Sequence, residues 1–255
     1  MRLFKKDPER EAAQNRYVDL LAQVAAGPSG ASLLPELRSA AQAADLSGRK
    51  RQQFTDQAIN ALASGVLDDE VLTRDEESYV LDVLDALGIG DADLNSRYLP
   101  VMKQLILGRA NDGRLPTVDD PQLMAQRDEV VHQEEPAALV KEVAVREYRG
   151  GSAGVSFRVA KGVRLNTGRQ RGQMVTVGTE IQLADTGVLS ITSKRVVFSG
   201  QKKTIESKYA KLVGLQVFSD AIAISVSNRQ ANATFRVDDG PFTAALINAA
   251  AQDCI

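Results

Sequence analysis

The strongest constraint on the fold is a change of hydrophobic period two-fifths of the way along the chain. From about residue 8 to 108, apolar residues recur at helical spacing; from about 143 to 237 they alternate. One period puts a stripe on a helix and the other a face on a strand, so the two stretches cannot share one regular element. The expectation is α+β with two domains: an all-α bundle over 1–110, a connecting segment over 111–129, and an antiparallel β domain over 130–255. At 255 residues the chain is long enough for two such cores.

Within the first stretch, Tyr17, Leu20, Leu21 and Val24 mark one helix, stopped by Gly27-Pro28. Leu33, Leu34, Leu37, Ala40, Ala41 and Ala44 mark a second, and Phe54, Ala58, Ile59, Ala61 and Leu62 a third that ends near Gly65. Tyr79, Val80, Val83, Leu84 and Leu87 form an apolar band over two turns. Thr73 and Glu76 ahead of it match a capping box, and Gly88 or Gly90 supplies the stop. Leu99, Met102, Leu105 and Ile106 predict a fifth helix ending at Gly108. Residues 109–129 are polar, contain Pro116 and Pro121 and lack a sustained period, which reads as a linker or a short docking segment.

The second stretch predicts short strands at 155–159, 174–183, 188–192, 195–199, 204–207, 212–218, 222–226 and 233–237. Phe242, Leu246, Ile247 and Ala250 then predict a final helix after Asp238-Asp239-Gly240-Pro241. Such an order suggests a small barrel or sandwich closed by the terminal helix.

Residues 187–225 resemble bacterial pleckstrin-homology-like and GRAM-like domains. The resemblance rests on Gly187, Leu189, Ile191, Thr192, Ser193 and Arg195 in a hairpin, with Phe198, Gly200, Lys203, Ile205, Tyr209, Lys211 and Leu212 after it. The family's usual Asn after the Thr is Ser193 here. The resemblance implies a β domain with a C-terminal helix, whose relatives bind lipids or peptides. More faintly, Asp68 to Glu77 followed by Leu87-Gly88-Ile89 is similar to the TerB-like helical family, with Glu70 where that family has Gly.

Charge divides as the period does. Residues 1–140 hold 15 Lys/Arg and 24 Asp/Glu, whereas residues 141–255 hold 16 and 9. Residues 152–211 alone hold eleven basic side chains against Glu180, Asp185 and Glu206. Lys161, Arg164, Arg169, Arg171, Lys194, Arg195, Lys202 and Lys203 are therefore the candidate anion-binding residues. A phospholipid headgroup or an acidic partner fits them. Two blander readings stand beside that one: solvating charge, or attraction to the acidic half of the chain. Nucleic acid is not expected, because no aromatic residues interleave with the basic loops as stacking would require.

Little points to catalysis. The lone His132 excludes a His-pair metal site, and the lone Cys254 excludes an intrachain disulfide. Gly150-Gly151-Ser152-Ala153-Gly154 has the spacing of a nucleophile elbow, but His132 precedes the serine and a strand pattern follows. Asp68, Asp69 and Glu70 fail as a calcium loop, since Leu72 and Thr73 occupy positions that need an oxygen ligand and a glycine. No cofactor is expected. The N-terminus carries no signal-peptide pattern and no apolar run is of spanning length, so the expected location is the cytoplasm, including the inner face of its membrane. The expected role is a non-enzymatic adaptor with a protein partner, an anionic surface, or both.

Overall fold

In the computed structural model, residues 8–46, 48–149, 155–160, 163–167, 173–228 and 232–254 are described, with residues 142–179 and 253 described for backbone only. The chain divides into two compact units. One comprises Met1–Glu134, Ile191–Val196 and Pro241–Ile255; the other comprises Glu135–Ser190 and Val197–Gly240.

Among the described residues, the seven α-helices belong to the first unit. These are α1 (Pro8–Ala25), α2 (Leu34–Ala43), α3 (Gly48–Val66), α4 (Arg74–Leu87), α5 (Asp91–Leu94), α6 (Leu99–Asn111) and α7 (Gly240–Asp253). Most of the apolar stripes read from the sequence are buried: Tyr17, Leu20, Leu21 and Val24 meet Leu37, Ile59, Leu62, Val80 and Val83 in one core. On α6 the buried positions are Val101, Gly108 and Ala110 instead of the expected Leu99, Met102, Leu105 and Ile106, and Leu99 is exposed. Tyr79 lies in that core and donates its hydroxyl to the Val24 carbonyl at 2.6 Å, and burial raises its pKa. The capping box of α4 is complete. The Thr73 hydroxyl accepts from the Glu76 N–H, the Glu76 carboxylate accepts from the Thr73 N–H at 3.0 Å, and Gly88 closes the helix at φ 70°. Two further details differ from expectation. Helix α6 continues past Gly108 to Asn111, because a glycine on a packed face, here against Leu67 and Leu72, is spacing rather than a stop. The single turn α5 has too few residues to display a period.

The stretch expected as linker or docking segment is held to both its flanks. The Arg114 guanidinium donates to Glu77 and to the Leu72 carbonyl. The Val118 N–H donates to the Val131 carbonyl at 2.9 Å, and the Glu134 carboxylate accepts from the N–H groups of Gln122 and Leu123 at 2.8 and 3.0 Å. His132 is buried, and its Nδ1 lies 2.7 Å from the Pro116 carbonyl, so Nδ1 carries the proton.

The strands are β1 (Val131–Arg149), β2 (Val155–Ala160), β3 (Val163–Thr167), β4 (Gln173–Thr192), β5 (Arg195–Gly200), β6 (Thr204–Lys208), β7 (Leu212–Val217), β8 (Ala221–Val226) and β9 (Ala233–Arg236). Seven form one sheet in the order β6-β5-β4-β1-β9-β8-β7, and β2 and β3 form a separate two-stranded sheet. Leu189, Phe198, Ile222, Ile224 and Phe235 are buried on the sheet, and the Phe198 and Phe235 rings stand 5.2 Å apart.

The fold class is thus α+β with a seven-stranded sheet, and of the barrel or sandwich expected the barrel is not closed: β6 and β7 are the two edges and do not pair among the described residues. Yet β6 and β7 are joined by only the 3-10 turn Tyr209–Lys211. The two edges are thus neighbours in the chain without pairing in the sheet. Strand β4 also runs unbroken through Asp185-Thr186-Gly187, where the sequence suggests an interruption. The reason is packing. A Cβ at Gly187 would overlap the Ser199 and Gly200 backbone, so the glycine serves close strand contact.

Candidate functional site

Of the eight candidate basic residues, Lys161, Arg169 and Arg171 lie outside the described residues. Arg164 is placed only by its backbone register opposite Arg158 in the β2–β3 hairpin. Lys194, Arg195, Lys202 and Lys203 are placed in full, and they fall at opposite ends of β5.

Lys194 and Arg195 form the turn from β4 into β5. The Thr192 side-chain oxygen accepts from the N–H groups of Lys194 and Arg195 at 3.1 and 3.0 Å, a local turn that Ser/Thr side chains favour. The Lys194 ammonium donates to the Arg127 carbonyl. Arg195 turns inward. Its guanidinium grips the Glu129 carboxylate in bidentate fashion, Nε to Oε1 at 2.8 Å and a terminal nitrogen to Oε2 at 3.0 Å. Side-chain exposure is 10% for Arg195 and zero for Glu129. Burial alone would raise the Glu129 pKa. The Arg195 guanidinium, the Gln126 N–H and the Thr192 hydroxyl outweigh it and hold the carboxyl down at about 2. A guanidinium so engaged is not available to an external anion, and Arg195 leaves the candidate surface.

Lys202 and Lys203 form the turn from β5 into β6, and Asp185 organises it. One carboxylate oxygen of Asp185 accepts from the Lys202 and Lys203 N–H groups at 2.9 and 3.1 Å. The other accepts from the Thr186 N–H at 2.9 Å. Asp185 is buried, which would raise its pKa, but these N–H donors and the Lys202 charge lower it. A side chain on Gly200 would collide with that carboxylate. With the turn pinned from beneath, both lysine side chains are exposed. Lys208 and Lys211 are exposed at the far end of β6 and the corner beyond it, and Glu206, 3.6 Å from Lys208, is the acid among them. Within the basic stretch 152–211, the exposed basic side chains among the described residues therefore lie on the β6 edge and its two flanking turns.

Sequence reasoning missed Asp185 and Glu129, having counted both only as charge. No local pattern marked Asp185, because the turn it organises lies 17 and 18 residues away at the Lys202 and Lys203 N–H groups. Glu129 was likewise unmarked, since its partner lies 66 residues away.

The first unit offers a second feature, an apolar groove of about 400 Å³ between α1 and α3, lined by Val18, Leu21, Ala22, Phe54, Ala58 and Ala61. The acidic stretch Asp68–Glu70 is a tied loop: Asp69 accepts from the Val71 N–H at 3.0 Å and Asn111 donates to the Glu70 carbonyl at 2.8 Å. Among the described residues no group of three His, Cys, Asp or Glu could hold a metal ion, and no helix is long and apolar enough to cross a membrane. Gly150 to Gly154, with Ser152, lie outside the described residues.

No family model, curated protein or solved structure matches this chain. Its chemistry has to be argued from its own side chains.

Proposed function

We propose that the protein is a non-enzymatic binding protein that places the basic β6 edge against an anionic membrane surface. The observation behind this reading is the set of exposed lysines Lys202, Lys203, Lys208 and Lys211, with a turn whose backbone is fixed by Asp185. Ammonium groups on flexible stems are point charges rather than shaped forks, which suits a diffuse anionic surface better than one defined ligand. Each contributes about 1 kcal/mol near an anionic leaflet, so four give useful but reversible attraction. The pleckstrin-homology-like resemblance of 187–225 agrees with this reading, as does a sheet followed by a C-terminal helix. Action at the cytoplasmic face of a membrane follows from it.

The test is co-sedimentation of the intact chain with anionic and with neutral vesicles at low and high salt. Binding is expected to anionic vesicles only, weakened by salt, and reduced about tenfold or more in Lys202→Glu/Lys203→Glu. Absence of binding at low salt overturns the proposal. It would favour the second reading, a protein-binding adaptor that uses the apolar α1–α3 groove.

A further inference from the structure

We propose that the β7 edge is a self-association surface, pairing antiparallel with β7 of a second copy of this chain. The two edges of the sheet are built differently. Edge β6 carries Lys208 and follows Lys202-Lys203, and charged residues, lysine above all, are how sheets keep an edge from pairing. Edge β7, Leu-Val-Gly-Leu-Gln-Val, contains no charged residue. Its apolar side chains are open to water: Val213 is 70% exposed, Val217 47% and the following Phe218 51%.

Register explains why Val217 lacks cover. In the β7–β8 ladder Leu215 opposes Ile224 and Val217 opposes Ile222, and directly opposed residues share a face. Ile222 and Ile224 are fully buried. Leu215 and Val217 thus belong to the core face, at a rim where the sheet simply ends. A Cβ added to Gly214 would meet nothing within 4 Å, so that side of the strand is open space.

A second copy fits this edge in sequence and in charge. Pairing about Leu215 sets Gly214 against Gln216 of the second copy, within the regular stretch of the strand, while Val213 lies in the bulge at the end where Val217 of that copy falls. It also sets Lys211, just before the strand, opposite Ser219 of the second copy and beside Asp220, whose own-chain partner Arg236 lies 3.5 Å from it. No like charges oppose one another. Such pairing is two-fold and closes, leaving both lysine-bearing β6 edges outermost, whereas β7 on β6 would propagate into a fibre. One bulge, between Leu212 and Gly214, kinks the start of the strand but leaves Gly214 to Val217 regular. A strand of six residues buries well under the roughly 1,600 Å² of a standard interface, so the dimer is weak and concentration-dependent.

The test is sedimentation velocity of the intact chain over a wide concentration range, with amide exchange read along β7. The expected result is a mass rising from 27.5 kDa towards twice that value, with slowed exchange at Gly214 to Val217 as it rises. Val213→Lys/Val217→Lys is expected to abolish the larger species, and Val213→Lys alone, at the more exposed site, to weaken it if the double variant loses its native circular dichroism. Lys203→Ala on the other edge is expected to leave it unchanged. A single-chain mass at every concentration overturns the proposal, as does a dimer that survives both lysine variants. A chain that stays monomeric but captures a synthetic peptide of residues 212–218 also overturns it, showing an edge that takes a foreign strand.

Discussion

Arg195 and Glu129 illustrate how little a charge count says about a charge. Both are desolvated, and each is tolerable only because the other is 2.8 Å away. Removing one partner strands the other, so Glu129→Ala is expected to cost about 3–5 kcal/mol in urea unfolding. Replacing both with apolar residues of similar volume, Glu129→Leu/Arg195→Met, is expected to recover most of that loss. A double variant as unstable as the single would mean that the surrounding turn, rather than the pair, carries the energy. In the sequence Arg195 is one more basic residue in Thr-Ser-Lys-Arg, indistinguishable from Lys194 beside it. What separates them is direction, and direction depends on a partner brought up by tertiary structure.

At the level of elements, the helices were legible because their signals are local. The Thr73–Glu76 box, the apolar band after it and Gly88 all lie within sixteen residues, and all three do what their chemistry suggests. Thr73→Ala is expected to cost about 1 kcal/mol, read as a lowered thermal midpoint with the native spectrum retained. A cost near zero would show that the other contacts of α4 hold its first turn without the cap. Seven of the nine described strands were legible as strands, whereas β1 and β3 were not expected, and the sheet they build was not legible at all. Alternation fixes which residues share a face, yet says nothing about which strand becomes an edge. Asp185-Thr186-Gly187 looked like a break because Asp and Gly usually are; here the Asp side chain is spent on the neighbouring turn and the Gly on close packing. The candidate surface was read only in part for the same reason: Lys202 and Lys203 were visible as charges, whereas the division between a lysine-bearing and an uncharged edge exists only after folding.

For the whole molecule, acid is the revealing perturbation. Glu129 titrates near 2 instead of 4.5, and Asp56 near 2 instead of 3.8 because Arg97 bonds to its carboxylate against the opposing effect of burial. A carboxyl depressed in the folded state stabilises it fully above the unfolded value and ceases to do so as pH falls through the folded one. Stability is therefore expected to hold level from neutrality to about pH 5 and to drop between 4.5 and 2, with a shallower drop in Glu129→Gln. An unchanged profile in that variant would place the acid sensitivity elsewhere. The sheet carries a consequence for how the chain comes into being. Ala138 in its central strand pairs with Arg236 in β9, so the β1–β9 half of the sheet cannot zip until that later strand has been made. A ribosome releasing this chain would deliver the early helices free to collapse, while β1 meets β4 first and waits about a hundred residues for β9, its other neighbour. The uncharged edge strand β7 is made before β8 and β9, which join it to β1, so it stays unattached to the rest of the sheet until they follow.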